Sequence, residues 1–268
     1  MAQKSGFQVS GNSAELYQRF VVPNYTAPWA RGLVEAADIK RGDRVLDVAC
    51  GTGVVTRIAS EIVGNKGEVI GLDVNATMLD VARSVPVTES NISWIEKDVA
   101  DTGLEADTFD VVLSQQGIQY FPDKDAAVRE LFRVLVPGGQ ILMSVWKGHS
   151  AFSTAQVNAV ERHISLEWAD KVNSQRTPPA LDDICRVMDA AGFTDVSTRT
   201  QELEMHLPLP RDYVPQHLSA MPVAVAFSAL NETEREAFLS QMEEELQGFV
   251  QGEQVVVPDA VYLISGRK

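Results

Sequence analysis

Arg44-Val45-Leu46-Asp47-Val48-Ala49-Cys50-Gly51-Thr52-Gly53 is a short apolar run, entered from the turn Arg41-Gly42-Asp43 and left through two glycines. A continuous apolar run of this length, bounded by turn residues, reads as a strand buried on both faces of a parallel sheet. The glycines that follow read as a tight turn into a helix, where backbone can approach a ligand closely. Further along, Glu68-Val69-Ile70-Gly71-Leu72-Asp73 repeats the pattern after Gly64-Asn65-Lys66-Gly67, and Asn75 is placed to cap a helix from Ala76 to about Arg83. Ile92-Ser93-Trp94-Ile95 and Phe109-Asp110-Val111-Val112-Leu113 read as a third and fourth strand. Ala127, Val128, Leu131, Val134 and Leu135 then recur at helical spacing until Pro137-Gly138-Gly139, before a fifth strand from Gln140 to Trp146. Five β-α units in succession predict an α/β fold with a doubly wound, mostly parallel sheet.

After Trp146 the spacing predicts helices near Thr154–Trp168 and Leu181–Ala191, the second ended by Gly192, and a strand from about Val196 to Leu207. Asn231-Glu232-Thr233-Glu234 is a capping-box pattern, followed by the stripe Phe238, Met242, Leu246 and Phe249. Ala260-Val261-Tyr262-Leu263-Ile264-Ser265 predicts a last strand beside the one near residue 200, which makes seven strands. The expected organisation is one domain over residues 1–268. It comprises an N-terminal helical cap (1–40), a core (41–147), and a C-terminal half (148–268) with a helical insertion at about 208–251 before the last strand.

Composition narrows the function. The 268 residues are 45% hydrophobic and 22% charged, the profile of a folded globular chain. Lys plus Arg is 23 against 37 for Asp plus Glu, a formal charge of -14, which opposes a phosphate backbone as partner. Nucleic acid is therefore not expected as a substrate. Two cysteines, Cys50 and Cys185, are too few for a disulfide framework and have no metal-type spacing, so no metal is expected and a reducing cytoplasm fits. The polar start Met1-Ala2-Gln3-Lys4-Ser5 has no export-signal pattern, and the most apolar later stretch, near Ala220 to Leu230, is interrupted by Pro222 and too short to cross a bilayer. A soluble cytoplasmic protein is the expectation.

The chemistry concentrates after the first strand. In open α/β sheets ligands lie beyond the carboxyl ends of the strands, and Asp73 ends the second strand twenty positions after Gly53, where a carboxylate can accept both hydroxyl protons of a ribose. A nucleoside-containing cofactor follows; the competing reading is a plain strand-to-helix turn with Asp73 as a helix cap. The dinucleotide fingerprint would need glycine where Thr56 stands, and no G-K-[ST] triphosphate motif is present.

Val45 to Thr56 resembles the first motif of class I S-adenosylmethionine (SAM)-dependent methyltransferases. The resemblance extends to Glu96-Lys97-Asp98-Val99, to the fourth-strand motif around Ser114-Gln115-Gln116-Gly117-Ile118-Gln119-Tyr120-Phe121, and to Arg133-Val134-Leu135-Val136-Pro137-Gly138-Gly139. These motifs span roughly residues 40 to 147 and look most like the small-molecule type represented by ubiquinone- and menaquinone-biosynthesis C-methyltransferases. The resemblance implies SAM as cofactor and a small-molecule acceptor. It implies cofactor contacts at Asp47, Ala49, Gly51, Thr52, Gly53, Val74, Met78, Gln115 and Tyr17, with Asp73 on the ribose, Asp98 at the exocyclic amine and the Val99 backbone at the adenine ring. Ala49 replaces a glycine common in the family, and the extra methyl group is expected to cost little. Ser114-Gln115 stands where some members carry an acid.

Acceptor-side candidates are Tyr25, Trp29, Tyr120, Trp146 and His149, with Met221, Phe227 and Phe238 either wall or core. Methyl transfer depends first on holding donor and acceptor at attack distance, so a base is optional; His149, Tyr120, Tyr25 and Tyr17 are the candidates, and no catalytic residue is assigned. His163 is expected at a helix boundary, and neither His206 nor His217 has a legible role. Cys50 is expected to be inert beside Asp47 and Asp73, and Cys185 to lie in the core. The alternatives are a nucleotide-dependent oxidoreductase and a SAM-fold binding protein without catalysis. Acceptor identity and oligomeric state are not readable.

Overall fold

The computed structural model describes residues 12–87 and 91–268; Met1 to Ser5, whose polarity was read above, lie outside the described residues. Eight strands form one sheet: β1 (Arg44–Val48), β2 (Glu68–Asp73), β3 (Ile92–Glu96), β4 (Phe109–Gln115), β5 (Leu135–Trp146), β6 (Thr194–Pro208), β7 (Val250–Gln251) and β8 (Gln254–Arg267). The order is β3-β2-β1-β4-β5-β8-β6, with β7 paired to β8 beside this path. β3, β2, β1, β4 and β5 are parallel, whereas β8 runs antiparallel to both β5 and β6. Seven strands were expected; the eighth is the two-residue β7, which pairs Val250 and Gln251 with Val255 and Gln254.

The parallel strands form where residues are apolar on both faces. Val45, Leu46 and Val48 are fully buried, as are Val111, Val112 and Leu113 of β4, and helices cover both sides of the sheet with two separate apolar clusters. One cluster gathers the helices Ala27–Ala36, Val54–Val63 and Ala151–His163; the other gathers Lys124–Val134 and Leu181–Ala191. Because the chain turns back between β1 and β4, the crevice of the sheet opens beyond the carboxyl end of β1.

Three departures have local causes. β5 begins at Leu135, directly after the helix Lys124–Val134, and Pro137-Gly138-Gly139 is a bulge within it, where the partner of Phe109 is Leu135 but the partner of Val111 is Gln140. The expected single helix near 154–168 is two, Ala151–His163 and Leu166–Gln175, because the Ser165 side chain accepts from the Trp168 N–H and starts a new helix. The cap Ser13–Ala36 winds as a π-helix through Tyr17–Thr26, with Pro23 removing one backbone donor in its middle.

In the insertion, the capping box at Asn231 and Glu234 is formed and starts the helix Glu232–Leu246, whose Phe238, Met242 and Leu246 are fully buried. Phe249 falls on the following 3-10 turn and is half-buried. Phe227 is core as well. No helix of the described residues is long and apolar enough to cross a membrane.

Candidate functional site

At the end of β1 the backbone turns three times through the left-handed region, at Ala49 (φ 55°), Gly51 (φ 55°) and Gly53 (φ 83°). Two of these positions carry glycine; Ala49 carries a Cβ at a cost of about 1–2 kcal/mol. The expectation that its extra methyl group costs little concerned space, and the cost lies in the backbone instead. Gly53 is required for a second reason: a Cβ there would sit 2.1 Å from Cη2 of Trp94, whose ring also covers Gly71. Gly53 thus lies under Trp94 and, unlike its neighbours Thr52 and Val54, is not part of the wall of the cavity described below.

Asp73 ties this turn to the next helix. Its Oδ2 accepts the Gly51 N–H at 2.8 Å and its Oδ1 the Asn75 N–H at 2.8 Å. The helix Ala76–Ser84 is capped by Asn75, whose Oδ1 accepts from Thr77 N at 3.0 Å and Met78 N at 3.4 Å, so Asp73 is not the helix cap. Burial raises the Asp73 carboxyl above its ordinary value. The Val74 backbone also bonds this carboxylate, so three backbone groups hold it.

Asp47 is 1% exposed. Its Oδ2 accepts from the Thr56 hydroxyl at 2.6 Å, which gives Thr56 a function at the position where a dinucleotide fold places glycine. Its Oδ1 is buried without a partner among the described residues, as is the hydroxyl of Thr52. Burial, opposed by the Thr56 hydrogen bond, pushes the Asp47 carboxyl up to about 7.

These groups line one arm of a continuous cavity of about 560 Å³, within the usual range for small-molecule sites. Of the expected cofactor contacts, Asp47, Ala49, Gly51, Thr52, Asp73, Val74, Met78, Asp98, Val99, Gln115 and Tyr17 line it. Past the end of β4 the Gln115 Nε2 donates to Thr26 O at 2.9 Å, fastening the cap to the sheet, while Gln116 is held at φ 53° with both polar side-chain atoms buried and unpaired. The cavity then continues into a chamber under the cap and the insertion, walled by Tyr25, Trp146, Val157, Val172, Arg176, His217 and Met221.

Of the acceptor-side candidates, Tyr25, Tyr120 and Trp146 line the cavity. Trp29 does not: it is 1% exposed in the core, edge-on to Trp146 with ring centroids 5.9 Å apart. His149 also lies outside, in a shallow groove with Gly148 and Pro178.

Burial keeps the tyrosines among the expected bases in their protonated form. Burial pushes Tyr17 and Tyr25 up to about 12 and Tyr120 upward too, and burial and Arg176 lower His149. The Tyr25 oxygen already accepts from Arg176 Nη1 at 2.8 Å. Cys50 is buried and its thiol lies well above its ordinary value through burial and the nearby carboxylates, the inert residue expected. Cys185 is only half-buried; the apolar face of its helix is Ile184, Val187 and Met188.

Sequence reading missed Arg176, which no motif marks. It is 6% exposed, paired in two hydrogen bonds with Asp259 at 2.5 and 3.0 Å, donates from Nε to Gly148 O at 3.1 Å, and lies 4.0 Å over the Trp146 ring. It also missed Gln116 and His217. His163 lies where expected, half-buried against Gln241 and Phe238.

The methyltransferase-domain family matches residues 45–139. The ubiquinone/menaquinone biosynthesis C-methyltransferase UbiE of Pseudomonas aeruginosa is 38% identical over 184 residues, covering 63% of this chain and 72% of that protein. The UbiE of Idiomarina loihiensis is 30% identical over 183 residues, covering 63% and 73%. Among solved structures, the phosphoethanolamine N-methyltransferase 2 of Haemonchus contortus, in complex with S-adenosyl-L-methionine, shares the fold with a TM-score of 0.58 at 19% identity. That alignment covers 95% of this chain but only 56% of that longer one. None of these matches favours a dinucleotide-dependent oxidoreductase. With the motifs in order along the parallel half of the sheet and relatives above 30% identity over most of their length, the chain belongs to the class I SAM-dependent methyltransferases of the small-molecule type.

Proposed function

We propose that the β1–β2–β3 arm of the cavity holds SAM and that the chamber beyond Gln115 takes a small-molecule acceptor, with residues 1–268 working as one catalytic unit. The observation that carries this reading is the continuity of the cavity, which runs from Asp73 and the unpaired Asp47 Oδ1 to the chamber walled by Trp146 and His217. The cofactor supplies an activated methyl group on sulfonium sulfur.

The residues present suit it. Asp47 Oδ1, buried and unpaired, is suited to the cofactor's ammonium group, and the Thr52 hydroxyl beside it is free to bond its carboxylate. Asp73, fixed by the backbone of Gly51, Val74 and Asn75, is the carboxylate assigned to accept from the ribose hydroxyls. Asp98 and the backbone of Val99, on the turn after β3, are assigned to the adenine edge. Buried Val21 and Tyr25 and half-buried Tyr17, all lining the cavity from the cap, support exclusion of water from the junction.

In the chamber the walls mix apolar and aromatic side chains with the uncharged Ser153, Gln156 and Gln175, which favours an uncharged acceptor. The Arg176 charge is already neutralised by Asp259, so it is not available to bind a phosphate or carboxylate. The carbon methylation named for the UbiE relatives supports carbon as the receiving atom here. With the tyrosines held neutral, the chain's contribution is placement of the two reactants rather than proton removal.

The test is incubation of the purified chain with methyl-labelled SAM and a fractionated small-molecule extract. Label entering a small-molecule fraction, and lost in Asp73→Ala, is the expected result. Tight cofactor binding with no transfer to any fraction would replace the enzyme with a SAM-binding protein.

A further inference from the structure

His217 belongs to the helix Pro210–Ser219 of the insertion, far in sequence from every methyltransferase motif, yet its ring closes the far end of the chamber. It is 3% exposed and packed among three rings, with centroids 5.7 Å from Tyr25, 5.6 Å from Phe152 and 5.2 Å from Tyr213. Burial holds the imidazole down to about 4, so it is neutral at pH 7 and carries one N–H and one bare nitrogen.

Which nitrogen carries the proton follows from the neighbouring phenol. His217 Nδ1 lies 3.1 Å from the Tyr213 oxygen. Tyr213 is 1% exposed, and His217 is the hydrogen-bond partner of its hydroxyl among the described residues. Burial keeps that phenol protonated. Were Nδ1 the donor, the phenol's own proton would be buried with no acceptor, an arrangement proteins avoid. The Tyr213 O–H therefore donates to Nδ1, and the imidazole proton is on Nε2. That nitrogen has no hydrogen bond among the described residues, and His217 is one of the side chains that line the cavity.

We propose that His217 presents a fixed Nε2–H donor to the acceptor chamber, with Tyr213 as the positioning residue that holds its tautomer, so that the chamber selects acceptors carrying an uncharged oxygen lone pair. The surroundings support an uncharged partner. Arg176, the cation on the chamber wall, is engaged with Asp259, Tyr25 and Gly148, and the polar side chains that share the lining with the apolar and aromatic ones, Gln116, Ser153, Gln156 and Gln175, are uncharged. A charged acceptor would meet no counter-charge there, whereas a carbonyl or ether oxygen replaces its bond to water with one to Nε2–H. This inference rests on the methyltransferase reading only for what occupies the chamber; the tautomer does not depend on it.

The test uses the full chain with ¹⁵N-labelled histidine, in which the four imidazoles are resolved and His217 is assigned by its disappearance in His217→Gln. Long-range proton–nitrogen correlation at pH 7 is expected to show His217 protonated on Nε2 and bare on Nδ1, with that preference weakened in Tyr213→Phe. Acetophenone, added with S-adenosylhomocysteine, is expected to move the Nε2 resonance, and ethylbenzene, the same shape without the oxygen, is expected not to. His217→Gln, which keeps an N–H near that place, should bind acetophenone nearly as the parent does, and His217→Phe about fivefold more weakly. An Nδ1-protonated ring, equal response to the two probes, or His217→Gln binding as poorly as His217→Phe would each overturn the proposal. Failure of S-adenosylhomocysteine to bind the same samples would remove the methyltransferase site while leaving the tautomer result intact.

Discussion

With the cofactor's ammonium group on Asp47 as proposed, cofactor binding should release protons below neutral pH. Burial pushes the Asp47 carboxyl up to about 7, with Oδ2 on Thr56 and Oδ1 without a partner among the described residues. At pH 6 about nine-tenths of the molecules carry that proton, and at pH 8 about one-tenth. An ammonium group placed on Oδ1 favours the carboxylate, because an opposite charge at hydrogen-bond distance lowers an acid's pKa by about 1–3 units or more when buried. Binding at pH 6 should then release about 0.4 to 0.9 proton, and at pH 8 about 0.1 or less. The assay is calorimetric titration of S-adenosylhomocysteine in buffers of differing ionisation enthalpy, where the slope of observed heat against buffer heat counts the protons. Asp47→Asn should bind more weakly and lose the slope at pH 6. A slope that is the same at pH 6 and pH 8, or that survives in Asp47→Asn, would refute the assignment. The same group predicts the stability of the free protein: an acid whose folded value lies above its unfolded value stabilises at low pH, and that contribution is lost as pH rises from about 4 to about 7.

Replacing Arg176 with Met leaves the Asp259 carboxylate buried without its partner and should cost about 3–5 kcal/mol in denaturant unfolding, whereas the double variant Arg176→Met with Asp259→Leu should recover most of it. Equal losses in the single and double variants would show that the pair is not the coupled unit described. Gly53→Ala forces a Cβ onto Trp94 at a left-handed position and should destabilise by about 2–5 kcal/mol, read as a lower melting temperature; an unchanged melting temperature would contradict the packing. Asp73→Ala removes the ribose contacts and the tie from Gly51 to Asn75 together, and should weaken S-adenosylhomocysteine binding by tenfold or more in calorimetry. Unchanged affinity would count against Asp73 as the sugar ligand.

The parallel half of the fold was readable because its strands are buried on both faces, and such strands appear in sequence as unbroken apolar runs between turn residues. Val45 to Val48 and Val111 to Leu113 show this directly, and the glycines after β1 mark where the chain turns left-handed. The acceptor half resists reading because its contacts are long-range. Arg176 and Asp259 meet across 83 positions, and neither carries a local pattern. His217 lies on a helix interrupted in sequence by Pro215, and its meaning comes from Tyr213, Tyr25 and Phe152 around it. Aromatic residues before the first strand could be recognised as a cap, but not sorted: Tyr25 faces the chamber and Trp29 the core, a distinction set by the wide turns of the π-helix between Tyr17 and Thr26. Ser165 shows how small the missed signal can be, since one capping hydroxyl splits a helix whose apolar spacing runs on without a break.

A crystal structure of the chain with S-adenosylhomocysteine tests the central claim most directly. The account predicts the ribose hydroxyls within hydrogen-bond distance of the Asp73 carboxylate, the ammonium on Asp47 Oδ1, and the sulfur directed at the chamber of Trp146 and His217. A ligand bound elsewhere, or with its sulfur turned to solvent and the crevice beside Asp73 vacant, would contradict it.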